Sequence, residues 1–362
     1  NGDDGPEFVN NDENSYHVTA ATWTDVNVVL EGLTITNGNA NGSGFEALGG
    51  GMFSLGNVEL INCSFRENSA TGGGGGMFVM HNYSTLTGCE FTGNSAGGNG
   101  GGLDNFEGCQ TILTNCRFVG NSAGYWGGGT STGRFSEAAL INCIFSRNTA
   151  LNGGGVANAH GTDPVLTNCT FGGNEATDHG GGLYSYHDSH PRLNNCIFWG
   201  NSAYEGPQIG LVFGSSVVAS HCDIEGGELD VYVVDSTIHW DNSDIVLNPR
   251  FLDADNGDYH LRWDSPCVNA GDPGGDYAGS VDIDGEPRVM RGSVDMGADE
   301  VGEKQGDFTR DGIINLRDFS VFSQSWLSNV ADNKWYVLCD LHEDEEINAL
   351  DVAEFVKDWL WK

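Results

Sequence analysis

The sequence predicts an all-β right-handed parallel β-helix, a solenoid of stacked coils, followed by a small all-α calcium-binding domain at the C-terminus. Two observations predict it. Cys63, Cys89, Cys116, Cys143, Cys169, Cys196 and Cys222 are spaced 26, 27, 27, 26, 27 and 26 residues apart, and a fixed period of this length marks a solenoid. Near the chain's end, two acidic loops of 12 residues, 33 residues apart, each lead into an amphipathic stretch.

The contents of the repeat select the kind of solenoid. Two residues after each Cys stands an apolar residue: Phe65, Phe91, Phe118, Phe145, Phe171, Phe198 and then Ile224. Spacing by two among polar neighbours is the period of a strand. Asn68, Asn94, Asn121, Asn148, Asn174 and Asn201 follow three residues later, and glycine triplets open at Gly49, Gly74, Gly100, Gly127, Gly153 and Gly180. No apolar stripe of helical period separates the repeats, and triple glycines weaken any helix. A unit of about 26 residues with two or three short strands is therefore one coil, stacked on the next at roughly 4.8 Å. Like then sits on like. The amides form a hydrogen-bonded ladder at an inward corner, since an amide both donates and accepts. Glycines allow positive φ and close backbone approach at the opposite corner. The right-handed sense follows from the general preference of parallel crossovers.

The stretches NCSFRENSATGGGGGMF (62–78), GCEFTGNSAGGNGGGL (88–103) and NCTFGGNEATDHGGGLY (168–184) resemble the FxxN and GGG repeats of chlamydial-type polymorphic outer-membrane proteins. They also resemble related right-handed β-helices of bacterial surfaces. The resemblance spans roughly residues 25–225. It implies the fold and a secreted, extracellular or cell-surface setting. Such coils carry adhesins, passenger domains, lyases and glycosidases alike, so it does not select among these.

Composition narrows the partners. With 51 Asp plus Glu against 15 Lys plus Arg, the formal net charge is −36, which repels nucleic acid and anionic membranes. Acidic groups at this density suit divalent cations or a solvated coat. No apolar run approaches the ~20 residues of a membrane span. The seven-cysteine column argues against disulfides: parallel in-register neighbours hold their Cβ atoms near 4.8 Å, and a disulfide wants roughly 3.5–4.5 Å. A buried thiol ladder is expected instead. The pairing of Cys109, Cys267 and Cys339, outside the column, stays open.

In chain order, residues 1–24 are a polar segment or cap, opening on Asn1-Gly2-Asp3-Asp4 as would a mature exported chain or one lacking its true start. Residues 25–302 are the solenoid. Leu33 and Ile35 occupy the Cys and Phe positions of an early coil, regular coils fill 49–225, and irregular closing coils fill 226–302 through the strand-like segments 231–240, 245–252 and 258–263. The alternating segment YHVTAATW (16–23) serves as a further strand. Paired with its own first coil it closes the solenoid. Added to a neighbour's end, it joins unlike surfaces and builds a filament. Residues 265–302, with SPCVNAGDP and DIDGEPR…DMGADE, resemble the closing region of "choice-of-anchor" bacterial surface proteins. Asp282, Asp284, Asp295 and Asp299 there suit a cation or hydrogen bonds to turn backbone.

Residues 303–362 change character. In the first acidic loop Asp307, Thr309, Asp311, Asn315 and Asp318 occupy positions 1, 3, 5, 9 and 12, with Gly312 at 6 and the Ile313 carbonyl at 7, an oxygen set that suits Ca²⁺. The second loop offers Asp340, Asp344, Glu346, Asn348 and Asp351, but places His342 at position 3 and Glu345 where glycine is expected. Paired loops, each followed only by an exiting helix, resemble the type I dockerin module of cellulosomes and other bacterial extracellular proteins, over residues 306–361. The resemblance implies bound calcium, calcium-dependent folding and docking to a cohesin-like or other surface protein. Positions 10 and 11, commonly Ser/Thr in dockerins, are Leu316-Arg317 and Ala349-Leu350.

One outward column merits attention. The seventh residue after the start of each triplet is Gly56, His81, Glu107, Arg134, His160 and His187, with Asp163, Asp188 and His190 nearby. Glu107, Arg134, His160 and His187 on neighbouring rungs suit lyase chemistry on a uronate, with Arg neutralising the acid and a base taking the proton. Two stacked His suit a transition metal. The same residues suit a polar turn facing water. Tyr125, Trp126, Tyr184, Tyr186, Trp199 and Tyr204 suit stacking on sugars. Because the best-kept positions of the repeat are inward, the sequence favours a non-catalytic structural or adhesive surface protein, anchored through its calcium module and capable of end-to-end association. A polysaccharide-active enzyme or a carbohydrate-binding β-helix is the alternative.

Overall fold

The computed structural model describes residues 16–21, 28–290 and 292–302, and near the C-terminus residues 314, 316–326, 339, 346–349, 351, 352 and 355. About seven coils stack into four parallel sheets rather than two or three. Sheet A has nine strands, from Thr19–Ala21 to Val231–Val234, and sheet B nine, from Val28–Glu31 to Thr237–His239. Sheet C has eight, from Thr34–Thr36 to Asp223–Ile224, and sheet D six, from Asn39–Ala40 to Glu175–His179.

One coil shows why. From Gly74 the chain runs through Met77–Met80 in sheet A, Tyr83–Thr87 in B, Glu90–Thr92 in C and Ser95–Ala96 in D. Between the strands stand Gly74, His81, Gly88 and Gly93, all with φ between 55° and 70°. A single left-handed residue turns the chain, so most corners take a glycine, Asn or His, and a few place Glu or Arg there under strain.

The predicted columns form. Phe65 through Phe198 stack face to face with centroids 4.3 to 5.0 Å apart. Each ladder Asn donates from Nδ2 to the Oδ1 of the next, from Asn68 to Asn94 (2.9 Å) through Asn174 to Asn201 (2.9 Å). All ten cysteines are free and buried, and burial holds the Cys109, Cys116 and Cys169 thiols above their ordinary range. The triplets stack by backbone hydrogen bonds such as Gly75 N–H to Gly100 O (3.1 Å). A Cβ on Gly102 would lie 2.6 Å from the Gly129 carbonyl, so this contact admits only glycine.

Thr19–Ala21 pairs with Met52–Ser54 of its own chain and adds the first strand of sheet A. Ile35 aligns with Phe65 as expected. At the other end Val231–Val234 and Thr237–His239 continue sheets A and B.

The chain then departs from expectation. Instead of further coils, Phe251–Asp253 pairs antiparallel with Asp258–Leu261, and residues 251–302 fold back along the outer face of sheet C. Tyr259 donates to Gly172 O (2.9 Å), Ala298 N–H to Thr170 Oγ1 (3.0 Å), Gly297 N–H to Asn195 O (2.7 Å), and Asn115 Nδ2 to Asp282 O (2.9 Å). Ile144 packs with Tyr259 and Ala298, and Ile197 with Leu261, Cys267 and Met296. This lateral clasp covers apolar surface that a further coil would leave open. Its own turns carry no repeat that could stack.

Near the C-terminus, a helix spans Leu316–Ser325, and Ala349, Asp351, Val352 and Phe355 are also helical. Phe322 stacks on Phe355 (centroids 5.7 Å) in a small core with Cys339 and Ile347. Each Phe lies four residues after the last acidic position of its loop, Asp318 or Asp351. Among the described residues no helix is long and apolar enough to cross a membrane.

Candidate functional site

The column Glu107, Arg134, His160 and His187 forms the corner between sheets A and B. All four have positive φ, from 51° to 63°, so they are the turn residues that end their sheet A strands. The corner aligns them rung on rung and projects their side chains outward. Arg134 lies over the Phe106 ring, 4.9 Å from its centroid, and the His160 and His187 rings are 5.5 Å apart. Burial, then His187 and Arg134, hold His160 below the ordinary imidazole range. His187 pairs with its neighbour Asp188 (3.3 Å), and His190 contacts Ser216 (2.8 Å). Glu107 forms no ion pair among the described residues, so the acid–base contact at this corner is that of His187 with Asp188.

Rings gather beside this corner on the outer face of sheet A. Trp126 lies 5.4 Å from Tyr186 and 6.0 Å from His160, and Tyr186 lies 5.4 Å from Phe213. Ala157 and Ala159, small outward residues on the strand between, leave room for the indole. Trp199 lies elsewhere, against the clasp. Tyr125 and Tyr204 are exposed.

Two further groups were not legible in the sequence. His179 sits between Asp178 (3.1 Å) and Glu205 (3.4 Å), with the Tyr232 ring at 4.6 Å. His179 and Glu205 each immediately precede the turn glycine of a coil, and that position was the available signal. Asp104 faces outward from sheet A but is only 3% exposed. Loop backbone at Gly73 and Asn99 closes over it. Burial pushes its carboxyl up to about 7, against the opposing hydrogen bond from Ser131.

The clasp carboxylates mostly serve turn backbone. Asp282 accepts from the N–H groups of Asp284, Glu286 and Glu300, and Asp295 from those of Asn269 and Val301. Asp284 instead meets side chains, Arg117 and His260.

Of the calcium-loop residues, Asp307, Thr309, Asp311, Ile313, Asn315, Asp340 and Asp344 lie outside the described residues. Asp318 and Asp351, the twelfth positions, are both fully buried. Asp351 accepts from the Asn348 N–H (2.7 Å), and Glu346 is exposed. Two buried carboxylates at corresponding positions of a duplicated loop suit a cation, with a hard oxygen donor set of the kind Ca²⁺ takes.

Comparison with known proteins supports the fold alone. Searches of curated proteins and of solved structures returned no match. The family model for the right-handed β-helix region matches residues 1–171 and 97–248. Covering most of the stacked coils, it supplies the handedness, and the chain belongs to the right-handed β-helix family.

Proposed function

We propose that this chain is a non-catalytic, surface-displayed rod of the extracellular space, anchored through a calcium-dependent dockerin-like module to a cohesin-like or other surface protein. One observation carries the reading. The interior repeats rung after rung, whereas the outward and largely exposed register of sheet B runs Glu59, Thr85, Ile112, Ala139, Val165, Arg192, Val218 and His239, with no residue recurring on consecutive rungs. Constant columns inside and variable ones outside suit a scaffold that displays surface. Duplicated loops with buried twelfth carboxylates support the calcium module.

A second reading, carbohydrate binding, is favoured by the ring cluster Trp126, Tyr186 and Phe213 beside Arg134 and His160. Aromatic faces stack on sugar rings, and Arg with His supplies polar contacts. Calorimetry on a panel of acidic and neutral polysaccharides, with ultraviolet detection of unsaturated products, separates the readings. Saturable binding without product selects the adhesive or carbohydrate-binding rod. Product formation overturns the non-catalytic reading. Adding a chelator to the full chain is expected to abolish the helical circular dichroism and leave the β signal. An unchanged helical signal would remove the calcium module.

A further inference from the structure

The clasp contains a second, chemically different cation site: we propose that His260, Asp284 and Asp299 bind a divalent transition-metal ion of the zinc class. Their ligand atoms all lie within 4.8 Å of one another. They come from three separate parts of the clasp: the strand Asp258–Leu261, the turn after Asp282, and the closing stretch before Glu300.

Each ligand is oriented through its other atom by a partner outside the trio. Asp258 holds His260 Nδ1, which turns Nε2 toward the centre. Arg117 holds Asp284 Oδ1 at 3.0 Å, leaving Oδ2 to face Nε2 at 2.6 Å. The Leu261 N–H holds Asp299 Oδ2 at 2.7 Å. A carboxylate on the far nitrogen of a ligating imidazole is the usual outer support of a metal site. Independent of this geometry, Asp299 is only 8% exposed, and its second oxygen has no hydrogen-bond donor among the described residues. That oxygen is left available to join His260 and Asp284 around a cation.

The donor set decides which cation. Calcium and magnesium take oxygen ligands, whereas one imidazole nitrogen with two carboxylates suits Zn²⁺ and its neighbours in the first transition row. Three protein ligands leave a fourth position for water. Bound there, the ion would tie three turns of the clasp together above Arg117 of sheet C.

The test uses the full chain with calcium present to fill the acidic loops, titrated with Co²⁺ as a spectroscopic substitute for zinc. The expected result is a visible ligand-field absorption saturating at one equivalent and displaced by Zn²⁺. His260→Gln should abolish that absorption, and Asp258→Asn should weaken binding roughly 10- to 100-fold. Should His260→Gln fail to fold, Asp299→Asn takes its place in the same titration. An absorption identical in wild type and variant, or none in the wild type, overturns the site.

Discussion

The Arg117 guanidinium lies 3.0 Å from the Asp284 carboxylate, joining residues 167 apart in the chain. Arg117 belongs to an outward register of sheet C that reads Ser64, Glu90, Arg117, Ile144, Thr170, Ile197. The register turns from polar to largely apolar where the clasp begins to cover it. Both groups of the pair are about one-third exposed or more, so the contact aligns the clasp edge and adds little stability.

Asp104 makes stability depend on pH. Its folded pKa, about 7, stands above the ordinary 3.8, so the folded state keeps a proton that the unfolded state releases. Stability is therefore fully present below about pH 4, falls as pH rises, and levels off above about 7, a loss on the order of 4 kcal/mol. Asp104→Asn should melt higher than wild type at pH 8 and show no advantage at pH 4. Melting curves at the two pH values check this, and parallel wild-type and variant profiles would refute it.

The asparagine ladder should be intolerant of gaps. Asn121 Oδ1 accepts from both the backbone N–H and the Nδ2 of Asn94, and its Nδ2 donates to Phe91 O and to Asn148. Asn121→Ala leaves several buried groups unpaired, and about 3–5 kcal/mol of stability should be lost. Urea unfolding measures it.

Two glycines should part company. Gly102→Ala drives a Cβ to 2.6 Å from the Gly129 carbonyl and 2.8 Å from the Phe118 ring, which forces the backbone to move. Gly120 turns a corner at φ 62° with nothing within 4 Å, so Gly120→Ala meets only the left-handed strain of about 1–2 kcal/mol. The denaturation midpoint should fall much further for the first.

Thiol titration checks the core. Labelling of native protein should reach none of the ten cysteines, and labelling after denaturation without reductant should reach all ten. Mass-spectrometric detection of a disulfide between Cys89 and Cys116 would contradict the stacking.

The solenoid was legible because its stabilising contacts recur at a fixed offset, so Phe65, Asn68 and Gly74 announce their neighbours by position. The clasp was not. Its partners lie as far as 77 and 167 residues away, as in Asp272 with Asn195 and Asn115 with Asp282. The one trace it left was Ile144 and Ile197, apolar residues at an outward position that is Ser64 or Glu90 elsewhere. Asp104 was not legible for a related reason. Its outward parity predicts solvent, and only the fold of the loop at Gly73 and Asn99 buries it. The aligned column of Glu107, Arg134, His160 and His187 is legible from its constant offset in the repeat, but its role as a left-handed corner lies in the backbone angles.

The clasp also fixes an order of events during synthesis. Sheet C is complete at Ile224, yet the surface around Ile144 and Ile197 stays uncovered until residues 251–302 have been made. Contacts that close long loops form late, after the local rung-on-rung pairing that can grow coil by coil. A nascent chain halted near residue 250 would thus display a sticky flank on an otherwise finished rod, and its clearance would fall to chaperones.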